Sequence, residues 1–249
     1  MISVFILFLG LTVGSFLNVV IFRLDTKKSV IFGRSFCLQC NKKIKWYDNI
    51  PLFSFLILKG KCRNCKNKIS WQYPLVELVT GLIFIWLYFS FGLSFRFFSY
   101  LIFSCFLLVI FVYDLKTYYI LDKVTIPAIV IAFFCNLYLG LGFWNLILAA
   151  IIGGGFFAIQ YYFSKGKWVG GGDIRLGALM GLMLGWKFLL VALFLAYFSG
   201  AIIGVILIIL NKKEMSSAVP FGPFLSAATF ITFIYGQPIL NWYLNLMYV

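Results

Sequence analysis

Histidine is absent from the 249 residues. That removes the Ser/His/Asp and Cys/His hydrolases, and zinc proteases of the H-E-x-x-H type, which depend on imidazole as base or ligand. Carboxylates are scarce: seven Asp and Glu stand against 21 Lys and Arg. Charge of either sign makes up only 11% of the chain, and 63% is hydrophobic. One soluble core cannot hide that much apolar surface, so lipid must cover part of it. No glycine-rich dinucleotide fingerprint follows a strand pattern, and no internal repeat, low-complexity tract or long flexible linker is present.

What the chain has in abundance is long apolar runs. Stretches near the ~20 residues needed to cross hydrocarbon recur at about 2–22, 72–92, 97–113, 123–140, 143–163, 187–210 and 219–236, with a shorter one at 174–185. The pattern predicts about eight spans. The first run lacks the basic start and small-residue cleavage site of a signal peptide and leads into Arg23, so it reads as a retained helix. Lys and Arg near span ends accumulate on the cytoplasmic side. Twelve of the 21 lie between Arg23 and Lys68, and alternating the spans from there puts Lys116, Lys123, Lys165, Lys167, Arg175, Lys212 and Lys213 on the same side. Only Arg96 and Lys187 fall opposite. Both termini are therefore expected outside, with loops 24–71, 114–122, 164–173 and 211–218 inside. The net charge of +14 flanks membrane segments, where attraction to anionic lipid accounts for it, and no nucleic-acid partner is expected.

The one composition shift that resembles a domain boundary is the loop 24–71, where Cys37-Leu-Gln-Cys40 and Cys62-Arg-Asn-Cys65 stand 21 residues apart. Paired C-x2-C knuckles suit tetrahedral zinc, because each short turn points two thiolates at one ion and the insert closes the second pair onto it. Lys61, Arg63 and Lys66 favour the thiolate form. The alternative, two disulfides, fits poorly with a reducing cytosolic loop. Four thiolates leave no open position, so such a zinc folds the loop and does no catalysis. Cys105 and Cys135 stand alone in apolar spans and read as small buried hydrophobes.

Three carboxylates, Asp114, Asp122 and Asp173, lie where cytoplasmic loops meet the membrane, a depth at which ionisable groups are functional candidates. Asp114 ends an apolar run, near a helix C-terminus whose dipole disfavours it, and no capping role explains it. Asp122 and Asp173 stand at helix starts, where N-capping is the alternative reading. Three glycines, Gly170 to Gly172, precede Asp173, more than a cap requires; they allow unwound backbone and close approach of another chain. Two aspartates brought together can share a proton and activate water against a peptide bond. The predicted helix ends suggest Asp173 as the ionised member and Asp114 as the protonated one.

These residues resemble a known family, the type IV prepilin peptidases, or prepilin leader peptidase/N-methyltransferases. The resemblance runs through Gly14-Ser15-Phe16-Leu17-Asn18-Val19-Val20-Ile21 and Arg23-Leu24, both cysteine pairs, Asn49-Ile50-Pro51, and Tyr73-Pro74 with Glu77 and Thr80-Gly81. It continues from Asp114 to Pro127, through Gly170-Gly171-Gly172-Asp173, which matches the G-x-G-D signature, to Pro220-Phe221-Gly222-Pro223-Phe224. Order and spacing together make it specific.

The resemblance implies an all-α integral membrane protein with a G-x-G-D aspartic protease core in a bacterial cytoplasmic (inner) membrane, its active site toward the cytoplasm. By position Asp114 and Asp173 match the catalytic aspartates. The implied substrates are prepilins and pseudopilins, which lose a short basic leader. Members with the cysteine loop also methylate the new N-terminal amine, with S-adenosylmethionine as donor. The expected domains are 1–23, a first transmembrane helix; 24–71, a cytoplasmic zinc-binding methyltransferase domain; and 72–249, the membrane-embedded peptidase. Lys116 stands where the family often has an acidic residue, Leu121 where it often has proline, and Asp25 where it usually has proline. The first two departures bear on the geometry of loop 115–121. The residues do not locate a donor site; Asn18, Asn49, Gly60 and Glu77 are polar or flexible positions that could equally satisfy backbone groups or cations. Two rivals remain: a peptidase without methyltransferase activity, and a non-catalytic membrane zinc scaffold.

Overall fold

The structure, a computed structural model, describes residues 1–24, 26, 29, 33, 35–210 and 219–247. Asp25, Lys212, Lys213 and the expected inside loop 211–218 lie outside the described residues. The fold is helical. Helix α1 spans Ile2–Arg23; the loop after it holds a short 3-10 turn, Trp46–Asn49, and α2, Phe53–Ile57. Then follow α3 (Gln72–Phe91), α4 (Phe95–Thr117), α5 (Asp122–Tyr138), α6 (Phe143–Ser164), α7 (Gly171–Leu184), α8 (Trp186–Ile209) and α9 (Gly222–Met247).

Each apolar run of the sequence coincides with one of these long helices. Six, α1, α3, α4, α6, α8 and α9, are long and apolar enough to cross a membrane. Helix α7, with 14 residues, extends about 21 Å at the usual helical rise, well short of the ~30 Å hydrocarbon thickness. Helix α5 has 17 residues and carries Pro127 in its second turn. Large apolar side chains stand exposed along the long helices, as on α8 at Phe194, Phe198 and Ile209. Lipid supplies the missing contacts for such a surface.

Two compact units divide the chain, Met1–Phe97 and Phe98–Val249. In the first, α1 packs on α3 through small residues one turn apart. A side chain at Gly14 would come within 2.7 Å of the Glu77 Cα, and one at Gly10 within 2.8 Å of the Gly81 Cα. In the second, α6 and α7 meet backbone to backbone: a Cβ at Gly153 would overlap the Gly177 carbonyl, and one at Gly181 the Ala149 carbonyl. Where lipid competes equally for apolar side chains, such close approach is what favours helix pairing. Buried Asn136 donates to the Leu182 and Met183 carbonyls at 2.6 and 2.9 Å, satisfying acceptors at the C-terminus of α7.

Candidate active site and metal centre

The two cysteine knuckles are near replicas. The Cys37 N–H donates to the Lys42 carbonyl and the Asn41 N–H to the Cys37 carbonyl; the Cys62 and Lys66 N–H groups repeat this with Asn67 and Cys62. Asn41 and Lys66 take the same left-handed conformation, φ 54° and 59°. One isolated antiparallel bridge closes each turn, Phe36 with Lys43 and Lys61 with Lys68. Both turns thus aim two sulfurs inward, and the four Sγ atoms lie within 4.8 Å of one another. The Cys37–Cys65 separation is 3.8 Å. Tetrahedral Zn–S bonds of about 2.3 Å require S···S near 3.8 Å, whereas a disulfide needs about 2.05 Å. All four cysteines are free thiols, so the group could hold a metal ion.

The thiols hold their protons unequally. The Cys40 backbone N–H, opposed by burial, brings Cys37 down to about 7. Against the lowering effect of the Asn67 backbone, burial and the neighbouring thiols push Cys65 up to about 11. Four sulfurs this close cannot all ionise without a cation among them. Arg63 braces the insert, its Nε and Nη2 donating to the Asp48 carboxylate at 2.9 and 2.6 Å while its guanidinium lies 5.5 Å from the Tyr47 ring.

In the second unit Asp114 lies in the last turn of α4 and is buried. Its Oδ2 accepts the Gly222 N–H at 2.9 Å, at the start of α9. Tertiary structure therefore supplies the partner that local sequence does not show: Asp114 is at a helix N-terminus after all, that of α9. Asp173, also buried, lies in the first turn of α7, where its Oδ2 accepts the Gly170 N–H at 2.7 Å. The expected dipole contrast between the two aspartates is thereby removed, since each carboxylate accepts a hydrogen bond at a helix start. The glycine run is used differently from an unwound segment. Gly170 is extended, Gly171 begins α7, and a side chain at Gly172 would come within 2.8 Å of the Ile120 Cβ. Ile120 also lies 3.2 Å from where a Gly222 side chain would start, so one residue spans the approaches to both carboxylates. Asp173 is near enough to act electrostatically on Asp114.

Asp122 takes another role. The cap of α5 is Leu121, and the Asp122 carboxylate instead accepts from Arg175 of α7, both side chains nearly half exposed.

A family model described as the Bacterial Peptidase A24 N-terminal domain matches residues 8–91, and one described as the Type IV leader peptidase family matches residues 101–205. The prepilin leader peptidase/N-methyltransferase of Bacillus subtilis (strain 168) is 32% identical over 247 residues, covering 99% of each chain. Its namesake in Aeromonas salmonicida (strain A449) is 34% identical over 268 residues, covering 95% of this chain and 91% of its own.

The chain belongs to the type IV leader peptidase family.

No solved structure matches it. Asp114 and the Gly170–Asp173 segment fall within the residues matched by the leader peptidase model, and all four cysteines within those matched by the N-terminal domain model. Residues that sequence reasoning did not assign include Gly222, whose N–H meets Asp114, and Ile120, which touches both approaches. The motif Pro220 to Phe224 is a visible signal for the first; nothing local marks the second. Of the polar positions left open, Asn18 donates to the Tyr73 carbonyl at 3.1 Å and Glu77 accepts the Leu52 N–H at 2.8 Å. Both thus satisfy backbone groups, and Glu77 does so beside a cavity.

Proposed function

We propose that this chain is a prepilin leader peptidase and N-methyltransferase, with Asp114 and Asp173 as the catalytic pair. The observation that carries the reading is that two buried carboxylates, 59 residues apart in sequence, each accept one hydrogen bond at a helix N-terminus and interact electrostatically. One ionised aspartate takes a proton from water as the water oxygen attacks the scissile carbonyl. The other, protonated, donates to the carbonyl oxygen. As the C–N bond breaks, a proton passes to the leaving nitrogen, and the pair returns to sharing one proton. Helix N-termini favour the pair's single negative charge, and like-charge repulsion opposes a second.

The division of labour we propose gives cleavage to residues 72–249 and methyl transfer to the zinc-bound loop 24–71, attached through the helix 1–23. The four cysteines hold zinc as a structural ion, and S-adenosylmethionine is the methyl donor. Helices α5 and α7 join the six longer helices as membrane-embedded segments of a G-x-G-D core, eight in all, α7 being too short to cross the hydrocarbon by itself. The excess of Lys and Arg on one set of loops supports an active site facing the cytoplasm of a bacterial inner membrane, where prepilins and pseudopilins present a basic leader.

The test is cleavage of a prepilin-like substrate by purified protein with S-adenosylmethionine present, comparing wild type with Asp114→Asn and Asp173→Asn and recording product mass. Cleavage plus one methyl group in wild type, with cleavage lost in either variant, is expected. Cleavage without added mass would remove the methyltransferase half; intact substrate from folded wild type would favour a zinc scaffold.

A further inference from the structure

Within the first unit, α1, α3 and the cysteine loop line a partly open cavity of about 570 Å³, within the ~300–1,000 Å³ typical of small-molecule sites. Its wall is mostly apolar and includes the rings of Phe22, Phe55 and Tyr73. Glu77 also lines it, 8% exposed. Among the described residues the ion pairs are Arg63–Asp48 and Arg175–Asp122, and Glu77 belongs to neither. The Asp48 carboxylate, on the same wall, is already matched by Arg63. Glu77 is therefore a buried carboxylate that accepts the Leu52 N–H at 2.8 Å and, among the described residues, forms no ion pair.

A buried acid in this setting carries a large desolvation cost, which a positively charged ligand would offset. Aromatic rings and a carboxylate lining one cavity suit a cation substituted with carbon, whose charge is spread and weakly hydrated. A lipid tail would leave Glu77 unmatched. Arg23, Lys42, Lys43, Lys45 and Lys68 line the same cavity besides Arg63 and can meet an acid group, so the cavity suits a ligand carrying a carboxylate as well as a carbon-substituted cation placed at Glu77.

We infer that this cavity is the methyl-donor site, and that Glu77 is the counter-charge to the sulfonium of S-adenosylmethionine. The inference rests on the proposed methyltransferase function and adds where the donor binds and through which residue. The donor supplies a methyl group to a neutral amine: a C–N bond forms as the C–S bond breaks, sulfur keeps the electron pair as a neutral thioether, and the methylated ammonium releases one proton to water. Glu77 binds and orients; the Leu52 N–H holds its carboxylate in place. Positive charge leaves sulfur during transfer, so Glu77 discriminates donor from spent product by charge.

Equilibrium binding to full-length, zinc-loaded protein in detergent tests this directly, with S-adenosylmethionine and its uncharged-sulfur product S-adenosylhomocysteine as probes. In Glu77→Gln, affinity for the sulfonium should fall at least about tenfold while affinity for the thioether changes less than about threefold. Val19→Phe, which places a ring in the cavity, should weaken both, and both variants should still cleave prepilin. Equal loss of both ligands in Glu77→Gln would reduce the residue to a structural prop and overturn its role. Unchanged donor binding in both variants would overturn the location while leaving the methyltransferase reading intact. Wild type that cleaves but binds no donor would overturn that reading itself.

Discussion

The loop of the first unit and the helices of the second reach order by different means. Among the described residues between Ser35 and Trp71, only Ser54 is buried. Nothing there resembles a hydrophobic core, and the fold rests on two replicate turns that converge on four sulfurs. The second unit has a dense interior in which Leu176, Leu179, Met180, Leu189 and Leu225 are fully enclosed, and its helices close to backbone contact at glycines. A region without a core depends on a ligand for its fold; a region packed at glycines depends on the size of each interface residue.

Separating the two units by mutation should therefore be possible. The largest expected effect is on chemistry alone. Asp114→Asn and Asp173→Asn should each reduce cleavage by about 10²–10⁴-fold or more, with zinc content by metal analysis unchanged. Loss of zinc in these variants would show that the two regions do not fold independently.

Next comes metal removal. Structural zinc contributes about 10–16 kcal/mol to the folding of small zinc modules, so chelation or Cys62→Ser should unfold the loop, seen as fast amide exchange over 35–71, while α6 and α7 stay protected. In the proposed site a metal would take all four sulfurs as thiolates and so compete with protons. Cys37, at about 7, is lowered from its ordinary 9.0, so its thiolate stabilises the metal-free fold above the ordinary value and that contribution is lost as pH falls through about 7. Cys65, raised to about 11, contributes in the opposite sense, below its ordinary 9.0, and this is lost as pH rises through about 11. Zinc affinity should weaken steadily as pH falls below neutrality, measured by competition with a chromophoric chelator. A pH-independent affinity would argue against four-thiolate binding.

A smaller effect is expected from glycine enlargement. In Gly177→Val the new Cβ would meet Phe157 and the Gly153 carbonyl, destabilising the α6–α7 contact by more than about 3 kcal/mol, read as a lowered melting temperature and lost cleavage with zinc retained. Gly14→Val should do the reverse, loosening α1 from α3 and weakening donor binding before cleavage. The smallest effect belongs to Asp122. Its exposed pair with Arg175 is worth about 0–1 kcal/mol, so Asp122→Asn should leave cleavage within about threefold of wild type. A loss as large as that of Asp114→Asn would make Asp122 a member of the catalytic group.

Much of this plan is legible locally. The apolar runs mark the helices because a bilayer imposes a length that few other environments demand. The cysteine spacing marks the metal knuckles because each turn is built within six residues. Asp122 shows the limit of such reading: cap and ion pair are equally compatible with its position, and its partner is 53 residues away. The apolar run at 174–185, by contrast, is already visibly shorter than the others, and α7 built on it has 14 residues.

By itself the sequence determined the helices, the paired knuckles, the aspartates and their family, since each is written in contiguous residues whose spacing follows from helix rise or turn geometry. Tertiary structure alone decided that Asp114 accepts the N–H of Gly222, 108 residues onward, that Ile120 touches both aspartate approaches, and that Glu77 lines a cavity and, among the described residues, forms no ion pair. Those outcomes depend on which helices pack together and how closely. Close approach at Gly14, Gly153 and Gly177 sets that packing, and no local pattern encodes which partner each glycine will meet.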